Sequence, residues 1–549
     1  MRNKEQTVIE YKRWLEYAVK DADLIPELKS MTDEQIEDAF YRDLDFGTGG
    51  LRGTIGAGTN RMNIYTVAKA SQGLSNCLSA GSSVVIGYDT RIKSDLFARI
   101  AAGVFESNGI KVYLWPEPLP VPTVSFAVRY LKASAGVMIT ASHNPSVYNG
   151  YKVYGADGCQ ITTEVAADIL EQIRKIDCFS PLINAQPNVE YICDDVLTEF
   201  LECVKQESVL FGDEIDRHVA IVYTPLNGTG LKPVTRVLSE SGFTNITVVE
   251  EQREHDGHFP TCPYPNPEIR EAMELGIQYC RKTGADLLLA TDPDCDRCGI
   301  AVRDADDYRT LSGNEVGLLL LDYICSQRAA HEKMPASPFF IKTIVTIDLA
   351  ERIAAHYGVQ TVNVLTGFKF IGEQIGYLEK LGLDDCYICG FEESYGYLTG
   401  SYVRDKDAVN AAFMICEMFA YYKTRGISLT DRLQQLWENY GYCLNTLHSF
   451  EFPGYHGMEK MREIMQKFHN GIDAIGGFKV LTTVDYSKGV DDLPKSDVLK
   501  YYLQDNCSVV VRPSGTEPKL KLYISVSAKN EQSARDIEAA LVNDLNARL

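Results

Sequence analysis

Three aspartates, Asp292, Asp294 and Asp296, alternate along the segment DPDCDRCG, which directly follows the apolar run DLLLAT. Carboxylates at this spacing converge oxygen ligands on a hard cation, and Mg²⁺ typically takes few carboxylates while leaving room for a phosphate oxygen. A solvated acidic turn is the simpler alternative, but an apolar strand that ends in three alternating aspartates favours a metal site. An EF-hand is excluded because Arg297 and Arg303 stand where its sixth and twelfth positions require Gly and Glu.

A second candidate for chemistry is Ser142 in TASHNP, residues 140 to 145, directly after the apolar run AGVMI. A serine at a strand end, flanked by His143 and an Asn-Pro turn, has the features of an exposed nucleophile with a proton-transfer partner beside it. Taken alone this signal is weak, because a serine before a turn usually serves to hydrogen-bond the turn.

Two further loops carry the groups needed to bind a phosphorylated sugar. In GFEESYG, residues 390 to 396, adjacent carboxylates and a serine can grip neighbouring sugar hydroxyls, although a plain acidic surface loop would look the same. In RPSGTEPKLK, residues 512 to 521, an arginine, two hydroxyls and a glycine backbone offer the donors that hold a phosphate dianion. A simple hairpin connection is the alternative for this last loop.

The elements that must position these loops fall into three similar units and one different unit. Short apolar runs alternate with helical patterns up to about residue 438, which is the signature of α/β domains with mixed or parallel sheets. Polar loops then follow the carboxyl ends of strands, where open α/β sheets bind ligands. Beyond that point, three strand patterns and a final helix indicate an α+β domain. The predicted domains are residues 1–208, 209–308, 309–438 and 439–549.

Helix starts are marked by two capping boxes, one at Thr32 and Gln35 and one at Ser312 and Glu315. The length of 549 residues itself predicts about three to five domains.

The overall charge narrows the class of partner. The formal net charge is -21, which disfavours nucleic acid as a partner but leaves room for a small anion in a basic cleft. The N-terminal segment has no apolar core of signal-peptide length, and no run of 18 apolar residues occurs. We therefore expect a cytoplasmic protein that does not bind membranes.

The 15 cysteines, scattered along a chain without secretory features, are expected to be reduced thiols. Two CxxC pairs, Cys295 with Cys298 and Cys386 with Cys389, are compatible with a zinc or redox site. Because each pair lies in or beside a strand-and-loop motif with another evident role, we favour buried cysteines acting as small apolar side chains.

Taken together, these loops resemble the α-D-phosphohexomutase family. The match runs along the whole chain in order, through FGTGGLRG, GYDTR, TASHNP, DPDCDR, TGFK, GFEESYG and RPSGTEPK. The resemblance implies four domains around a deep central cleft, each contributing one loop. It also implies an isomerase-class phosphotransferase that uses one Mg²⁺ per chain and passes a phosphoryl group between positions 1 and 6 of a sugar through a bisphosphate.

The resemblance also assigns roles to individual residues of this sequence. Ser142 would carry the phosphoryl group and, with the three aspartates, hold Mg²⁺. The basic positions near the reacting groups would be Arg52, His143, Lys152 and Lys406, of which His143 and Lys406 are both candidates for the base. The expected substrate contacts are Arg297, Thr366, Gly367, Glu392, Ser394, Arg404, Arg512, Ser514, Gly515, Thr516 and Lys521.

The identity of the sugar is less determined than the chemistry. The EES form of GFEESYG resembles glucose-using members, which predicts interconversion of glucose 1-phosphate and glucose 6-phosphate with glucose 1,6-bisphosphate as intermediate and activator. Phosphomannomutase, phosphopentomutase and glucose 1,6-bisphosphate synthase activities stay open. A metal-dependent phosphatase would not need two separate clamps, and an inactive scaffold would not need Ser142 and the aspartates. The expected state is a monomer or weak dimer.

Overall fold

A computed structural model describes residues 1–47, 49–452, 454–490, 493–513 and 519–549, without the side chains of residues 454–458. By its internal contacts the chain divides into two compact units. The first comprises Met1–Leu311, Gly372–Tyr387 and Tyr395–Tyr421, and the second comprises Ser312–Ile371, Ile388–Ser394 and Tyr422–Leu549. The four domain boundaries expected from the sequence stay a prediction.

The first unit begins with three helices and a seven-stranded mixed sheet. The strand order is β1-β2-β6-β5-β3-β4-β7. Strand β3 pairs in parallel with β4 and β5, whereas β6 pairs antiparallel with β2 and β5. The elements are α1 Lys4–Tyr17, α2 Leu24–Ser30, α3 Asp33–Phe40, β1 Phe46–Gly47, β2 Gly50–Thr54, α4 Ile64–Cys77, β3 Ser83–Tyr88, α5 Ser94–Ser107, β4 Lys111–Leu114, α6 Val121–Tyr130, β5 Ala135–Ile139, β6 Tyr148–Gly155, α7 Thr163–Lys175, β7 Glu190–Tyr191 and α8 Asp194–Gln206.

A five-stranded sheet follows in the same unit, with the order β12-β11-β10-β8-β9. Its strand β10 is parallel to β8 and antiparallel to β11, and all five residues of β10 are buried. The elements are β8 Ile221–Thr224, α9 Leu231–Glu240, β9 Ile246–Val248, α10 Arg270–Thr283, β10 Leu287–Thr291, β11 Cys298–Asp304 and β12 Asp307–Leu311.

The next stretch of the chain begins the second unit, where β14, β13 and β15 are neighbours in that order and β13 and β14 run parallel. The elements of this stretch are α11 Gly313–Ala330, β13 Phe339–Thr343, α12 Leu349–His356, β14 Gln360–Val364, α13 Phe368–Lys380, β15 Tyr387–Glu392, β16 Gly396–Leu398, α14 Ala408–Thr424 and α15 Leu429–Tyr440. Of these, α13 from Gly372 onwards, β16 and α14 up to Tyr421 belong to the first unit.

The C-terminal part of the second unit is a six-stranded sheet of order β17-β22-β21-β20-β19-β18. Helix α17 contacts β17 and β22, and apolar residues of both layers form a core of their own. The elements are β17 Tyr442–Glu451, α16 Gly454–His469, β18 Ala474–Ile475, β19 Phe478–Asp485, β20 Leu499–Leu503, β21 Ser508–Pro513, β22 Lys519–Ala528 and α17 Glu531–Arg548. The expected class, α/β domains with mixed sheets followed by an α+β domain, is confirmed.

Both predicted capping boxes are present. The side chains of Thr32 and Ser312 accept hydrogen bonds from the backbone N–H of Gln35 and Glu315, and the two reciprocal bonds are also made. Each box satisfies two of the donors that a helix start leaves without a partner, which fixes where α3 and α11 begin.

Across the described residues, no helix is both long enough and apolar enough to span a membrane.

Candidate active site

The three alternating aspartates lie at the carboxyl end of β10 in the first unit. Asp292, Asp294 and Asp296 are at most 1% exposed, and each offers an oxygen within 4.8 Å of the oxygens of the other two. The loop that follows the buried strand β10 is itself buried from residue 292 to residue 296. The three carboxylates converge, as the sequence predicted.

Two lysines partly neutralise this cluster. Lys152 Nζ lies 2.9 Å from Asp294 Oδ2 and 3.3 Å from Asp296 Oδ2, and Lys406 Nζ lies 3.2 Å from Asp296 Oδ2. Burial opposes the charge on Lys152, but attraction to Asp294 and Asp296 raises its pKa. Burial likewise opposes ionisation of Asp296, but Lys406 and Lys152 hold its pKa below the ordinary value.

The cluster fits a bound cation because two of its oxygens have no hydrogen bond. Oδ1 of Asp294 and Oδ1 of Asp296 are buried and accept no hydrogen bond from any described residue, although Arg297 Nε lies 3.9 Å from Asp296 Oδ1. Burial, together with the neighbouring Asp294 and Asp296, raises the pKa of Asp292 well above its usual value. A buried oxygen without a partner costs free energy, and an all-oxygen donor set suits a hard divalent ion such as Mg²⁺.

Ser142 lies beside these carboxylates, two residues beyond the loop's first threonine. Its Oγ donates to Asp292 Oδ2 at 2.9 Å and lies 3.1 Å from His143 Nδ1. Thr140 Oγ1 accepts from the Ser142 N–H at 2.9 Å and donates to Asp294 Oδ2 at 3.1 Å. The serine predicted as nucleophile is therefore bound directly to the predicted metal site.

His143 is held as a neutral imidazole. Burial lowers its pKa to about 2, and the nearby positive charges of Arg297 and Arg52 act in the same direction. A neutral ring can accept a hydrogen bond from the Ser142 hydroxyl at Nδ1, whereas the lowered pKa disfavours the imidazolium that a full proton transfer would form.

The remaining predicted basic residues of the first unit differ in their surroundings. Arg52, on β2, donates to Asn144 Oδ1 at 3.3 Å, beside the serine loop. The Arg297 side chain forms an ion pair with Glu268, and its backbone N–H donates to Asp292 Oδ1 at 3.0 Å. Both therefore lie beside the loops of Ser142 and the aspartates, and their roles in catalysis and substrate binding stay predictions.

Arg404 lies apart from this group. Its side chain is fully buried, its Nη2 lies 2.8 Å from Glu379 Oε2, and its Nη1 donates to the carbonyls of Ser401 and Val403. A contact with substrate, as the sequence predicted, would require this side chain to leave these partners.

The sugar-binding residues predicted in the second unit lie at strand ends. Thr366 and Gly367 follow β14, and Gly367 has a φ of 120°, a value that L side chains rarely adopt. Glu392 is the last residue of β15 and is 6% exposed, and Ser394 follows it. Glu393 is the second of the adjacent carboxylates in GFEESYG, and it accepts a hydrogen bond at Oε2 from the hydroxyl of Thr343, 3.4 Å away at the end of β13.

Two of the predicted phosphate-binding residues face each other in the C-terminal sheet. Arg512 on β21 pairs directly with Lys521 on the antiparallel strand β22, and both are half-buried. Adjacent cations on one ladder favour binding of an anion. Ser514, Gly515 and Thr516 of the same loop lie outside the described residues.

The CxxC pairs do not form a second metal cluster among the residues that the structure describes. All four thiols are free, and Cys295, Cys298 and Cys389 are buried. Within this part of the chain, the aspartate trio is the group of three or more His, Cys, Asp or Glu side chains close enough to hold an ion.

Two side chains that hold the serine loop, residues 140 to 145, were not predicted from the sequence. Thr140 could have been found because it is the first residue of the motif TASHNP, and its hydroxyl reaches both Ser142 and Asp294. Arg91 could have been noticed because it is the last residue of the motif GYDTR, which follows a strand. Its contacts depend on tertiary structure and could not be read from that motif.

Comparison with protein-family models gives four consecutive matches. They are described as phosphoglucomutase/phosphomannomutase alpha/beta/alpha domains I, II and III, at residues 43–178, 198–305 and 312–440, and as the C-terminal domain, at residues 459–543.

Curated relatives match over nearly the full chain. A phosphoglucomutase of Staphylococcus saprophyticus is 37% identical over 94% of this chain and 97% of its own length. A phosphoglucomutase of Staphylococcus haemolyticus is 36% identical over 97% of this chain and 99% of its own length.

A solved structure shares the fold. The phosphoprotein pp63/parafusin, a phosphoglucomutase from Paramecium in its open form, superposes with a TM-score of 0.66 at 17% identity, covering 92% of this chain and 95% of that one.

Proposed function

We propose that this chain, which belongs to the phosphoglucomutase/phosphomannomutase family, interconverts glucose 1-phosphate and glucose 6-phosphate through a phosphoserine at Ser142 and a glucose 1,6-bisphosphate intermediate. It is a phosphohexose mutase, an enzyme of the isomerase class. The observation that carries the residue assignment is the hydrogen bond from Ser142 Oγ to Asp292, the first of the three aspartates.

The residues that would hold Mg²⁺ are Asp292, Asp294 and Asp296, with an oxygen at Ser142 completing the set. The two carboxylate oxygens without a hydrogen bond, on Asp294 and Asp296, support this assignment. When bound, the ion would offset negative charge on the transferring phosphoryl group. We propose one such ion per chain.

The side chains around Ser142 supply the remaining requirements of phosphoryl transfer, which are chiefly position and charge. Lys152, Lys406 and Arg52 place three cations around the serine, where they favour the negative charge of the phosphoryl group in flight. The hydroxyl proton of Ser142 has two acceptors within reach, Asp292 Oδ2 and His143 Nδ1. For the proton of the attacking sugar hydroxyl, His143 and Lys406 remain the two candidates.

The second unit supplies groups suited to recognition. We propose that Glu392 and Ser394 bind sugar hydroxyls, with Thr366 and Gly367 beside the ring. Arg512, Lys521 and the segment with Ser514, Gly515 and Thr516 would bind the phosphate that is not reacting. A bisphosphate must be accepted in two orientations before its second phosphate returns to Ser142, so one clamp for each end is sufficient.

The choice of glucose rests on the acidic pair of the sugar loop and on the names of the curated relatives, both called phosphoglucomutase. A coupled assay that compares glucose 1-phosphate, mannose 1-phosphate and ribose 1-phosphate, with and without glucose 1,6-bisphosphate, tests it. We expect the highest kcat/KM with glucose 1-phosphate and activation by the bisphosphate. A preference for the pentose or for mannose would refute the substrate and leave the chemistry standing.

The phosphoserine is tested by intact-mass measurement after treatment with glucose 1,6-bisphosphate. We expect one added phosphate on the wild-type protein, none on Ser142→Ala, and loss of turnover in that variant without unfolding. Ser180→Ala, which alters an exposed serine, is the matched control. Full mutase activity without any added phosphate would refute the role of Ser142, and steady release of inorganic phosphate in place of isomer would indicate a phosphatase.

A further inference from the structure

One buried arginine binds most of the loop that carries Ser142. Arg91 follows β3 and is 3% exposed. Its Nη1 donates to the carbonyls of Pro145 at 2.9 Å and Tyr148 at 3.1 Å, and its Nη2 donates to the carbonyls of Ser142 and Asn144. A single guanidinium therefore anchors four backbone carbonyls of the segment 142–148.

The segment needs such an anchor because its backbone is unfavourable at the serine. Ser142 has a φ of 54°, in the left-handed region, which costs a non-glycine residue roughly 1 kcal/mol. This conformation turns the side chain so that Oγ reaches Asp292. The Pro145 carbonyl also accepts from the Tyr148 N–H at 3.0 Å, and Tyr148 begins β6, so the anchor matters most at Ser142 and Asn144, where an unbonded carbonyl would favour rearrangement of the loop.

Arg91 is itself held from two sides. Its Nε lies 3.3 Å from Asp89 Oδ2, and its Cζ lies 5.1 Å from the centre of the Phe259 ring. The backbone of Gly257 approaches the segment 90–92 so closely that a Cβ there would lie 2.5 Å from the Ile92 nitrogen. The segment between β9 and α10 thus also supports the arginine beneath the serine loop.

The surroundings of Arg91 assign it to support and not to contact with substrate. All of its side chain is buried, and both terminal nitrogens, Nη1 and Nη2, donate to main-chain oxygens. Arg52, the other arginine beside the loop, is exposed and bonds the side chain of Asn144. The backbone of the loop therefore depends on Arg91.

We propose that Arg91 is a positioning residue, which holds the left-handed backbone of Ser142 and so keeps Oγ aligned for phosphoryl transfer. The inference rests on the proposed role of Ser142 as phosphoryl carrier. Small displacements of a reacting group reduce rates steeply, so loss of this anchor should act on the chemical step and leave substrate binding by the second unit unchanged.

The test compares Arg91→Lys and Arg91→Ala with Arg99→Lys and Arg99→Ala. Arg99 is an exposed arginine of α5 with one ion pair to Asp95, which makes it a matched control. We expect kcat to fall about 100-fold in the Arg91 variants with KM changed less than about threefold, and the control variants to retain wild-type values. The rate at which glucose 1,6-bisphosphate phosphorylates Ser142, followed by intact mass, should fall by the same factor.

Two further measurements separate positioning from folding. Guanidinium ion, at concentrations well below those that unfold the protein, should restore part of the kcat of Arg91→Ala and none of that of Ser142→Ala. Phe259→Leu, which removes the ring that faces Arg91, should give a smaller fall in kcat, also at unchanged KM. This variant tests the positioning role if the Arg91 variants do not fold.

The outcomes are distinguishable. If the wild-type protein takes up no phosphate at Ser142, the proposed function fails. If the wild-type protein takes it up and folded Arg91→Lys does so at the same rate with wild-type kcat, the positioning role is overturned. A loss of activity that merely follows the unfolded fraction, with no rescue by guanidinium, also overturns it.

Discussion

Among the described residues, each compact unit contains a cluster of charged side chains built around a carboxylate and two lysines, and the two clusters differ in how completely they are satisfied. In the first unit, Asp292, Asp294 and Asp296 face two lysines, and two carboxylate oxygens lack any hydrogen bond from the described residues. In the second unit, the single carboxylate Asp348 faces two buried lysines, and both of its oxygens accept hydrogen bonds.

The second cluster is closed by its own residues. Lys500 Nζ lies 2.8 Å and Lys342 Nζ 3.2 Å from Asp348 Oδ1, and Ser508 Oγ donates to Oδ2 at 2.6 Å. Lys342 also pairs with Glu351 at 3.1 Å, so the charges balance. Burial opposes ionisation of Asp348, but the two lysines hold its pKa below the ordinary range.

The contrast separates a structural cluster from a functional one. A closed cluster strengthens the fold and needs nothing further, whereas an open one is a cost to the fold that a ligand can remove. We therefore expect substitutions in the first cluster to lower activity and substitutions in the second to lower stability.

The largest expected effect is on turnover. Asp294→Asn should lower kcat on the order of 10³-fold, because it removes charge from the metal site beside Ser142. The free energy of unfolding should change by less than about 1 kcal/mol, because relief of the repulsion with Asp292 and Asp296 offsets the loss of the ion pair with Lys152. Steady-state kinetics and urea unfolding of the same preparation measure both, and marked destabilisation would contradict the distinction between the clusters.

The opposite pattern is expected for Asp348→Asn. Leaving two buried lysines with reduced compensation should lower the free energy of unfolding by roughly 3 kcal/mol, while kcat per folded molecule changes less than about twofold. The three tryptophans are Trp14, Trp115 and Trp437, and Trp437 lies in the second unit. A background with Trp14→Phe and Trp115→Phe therefore reports unfolding of that unit by fluorescence, and wild-type stability of Asp348→Asn would refute the structural role.

The effect of Mg²⁺ on the free energy of unfolding should also distinguish the two clusters. Mg²⁺ at about 100 times its dissociation constant should raise the free energy of unfolding of the first unit by about 2.7 kcal/mol. Thermal unfolding with Mg²⁺ and after chelation measures this shift. We expect the shift in wild type and Asp348→Asn and its loss in Asp294→Asn; an equal shift in all three would place the ion elsewhere.

The smallest expected effect is the pH dependence of the stabilisation by Asp348. Because the folded pKa of Asp348 lies below the unfolded value near 3.9, its contribution is complete above that pH and is lost as the pH falls through the folded pKa. The difference in unfolding free energy between wild type and Asp348→Asn should shrink by about 0.7 kcal/mol between pH 5 and pH 3.5. A difference that grows toward acid pH would reverse the sign of the interaction.

Much of the first cluster could be predicted from the sequence because its signals are local. The alternating aspartates and Ser142 follow apolar strands at once, and strand periodicity places such loops at sheet ends. The roles of Arg52, Lys152 and Lys406 came only from the family motifs.

The second cluster could not be predicted. Asp348 and Lys500 are 152 positions apart and carry no motif, since their pairing is created by tertiary packing. The left-handed φ of Ser142 is equally hidden, because serine gives no sign of it, and the four carbonyls bound by Arg91 become neighbours only once the loop has folded.

The closed cluster has a consequence for how the chain can be dissected. Asp348 and Lys342 lie in the segment matched by the third family model, whereas Lys500 and Ser508 lie in the segment matched by the fourth. Cleavage of the chain near residue 440 would leave Lys500 without its carboxylate partner on the C-terminal fragment. Asp348 would lose one of its two lysines on the N-terminal fragment. The segments matched by the third and fourth family models are therefore joined by a shared charge cluster. We expect a chimera that takes its C-terminal domain from a relative to fold only if Asp348 and Lys342 are transferred together with Lys500 and Ser508.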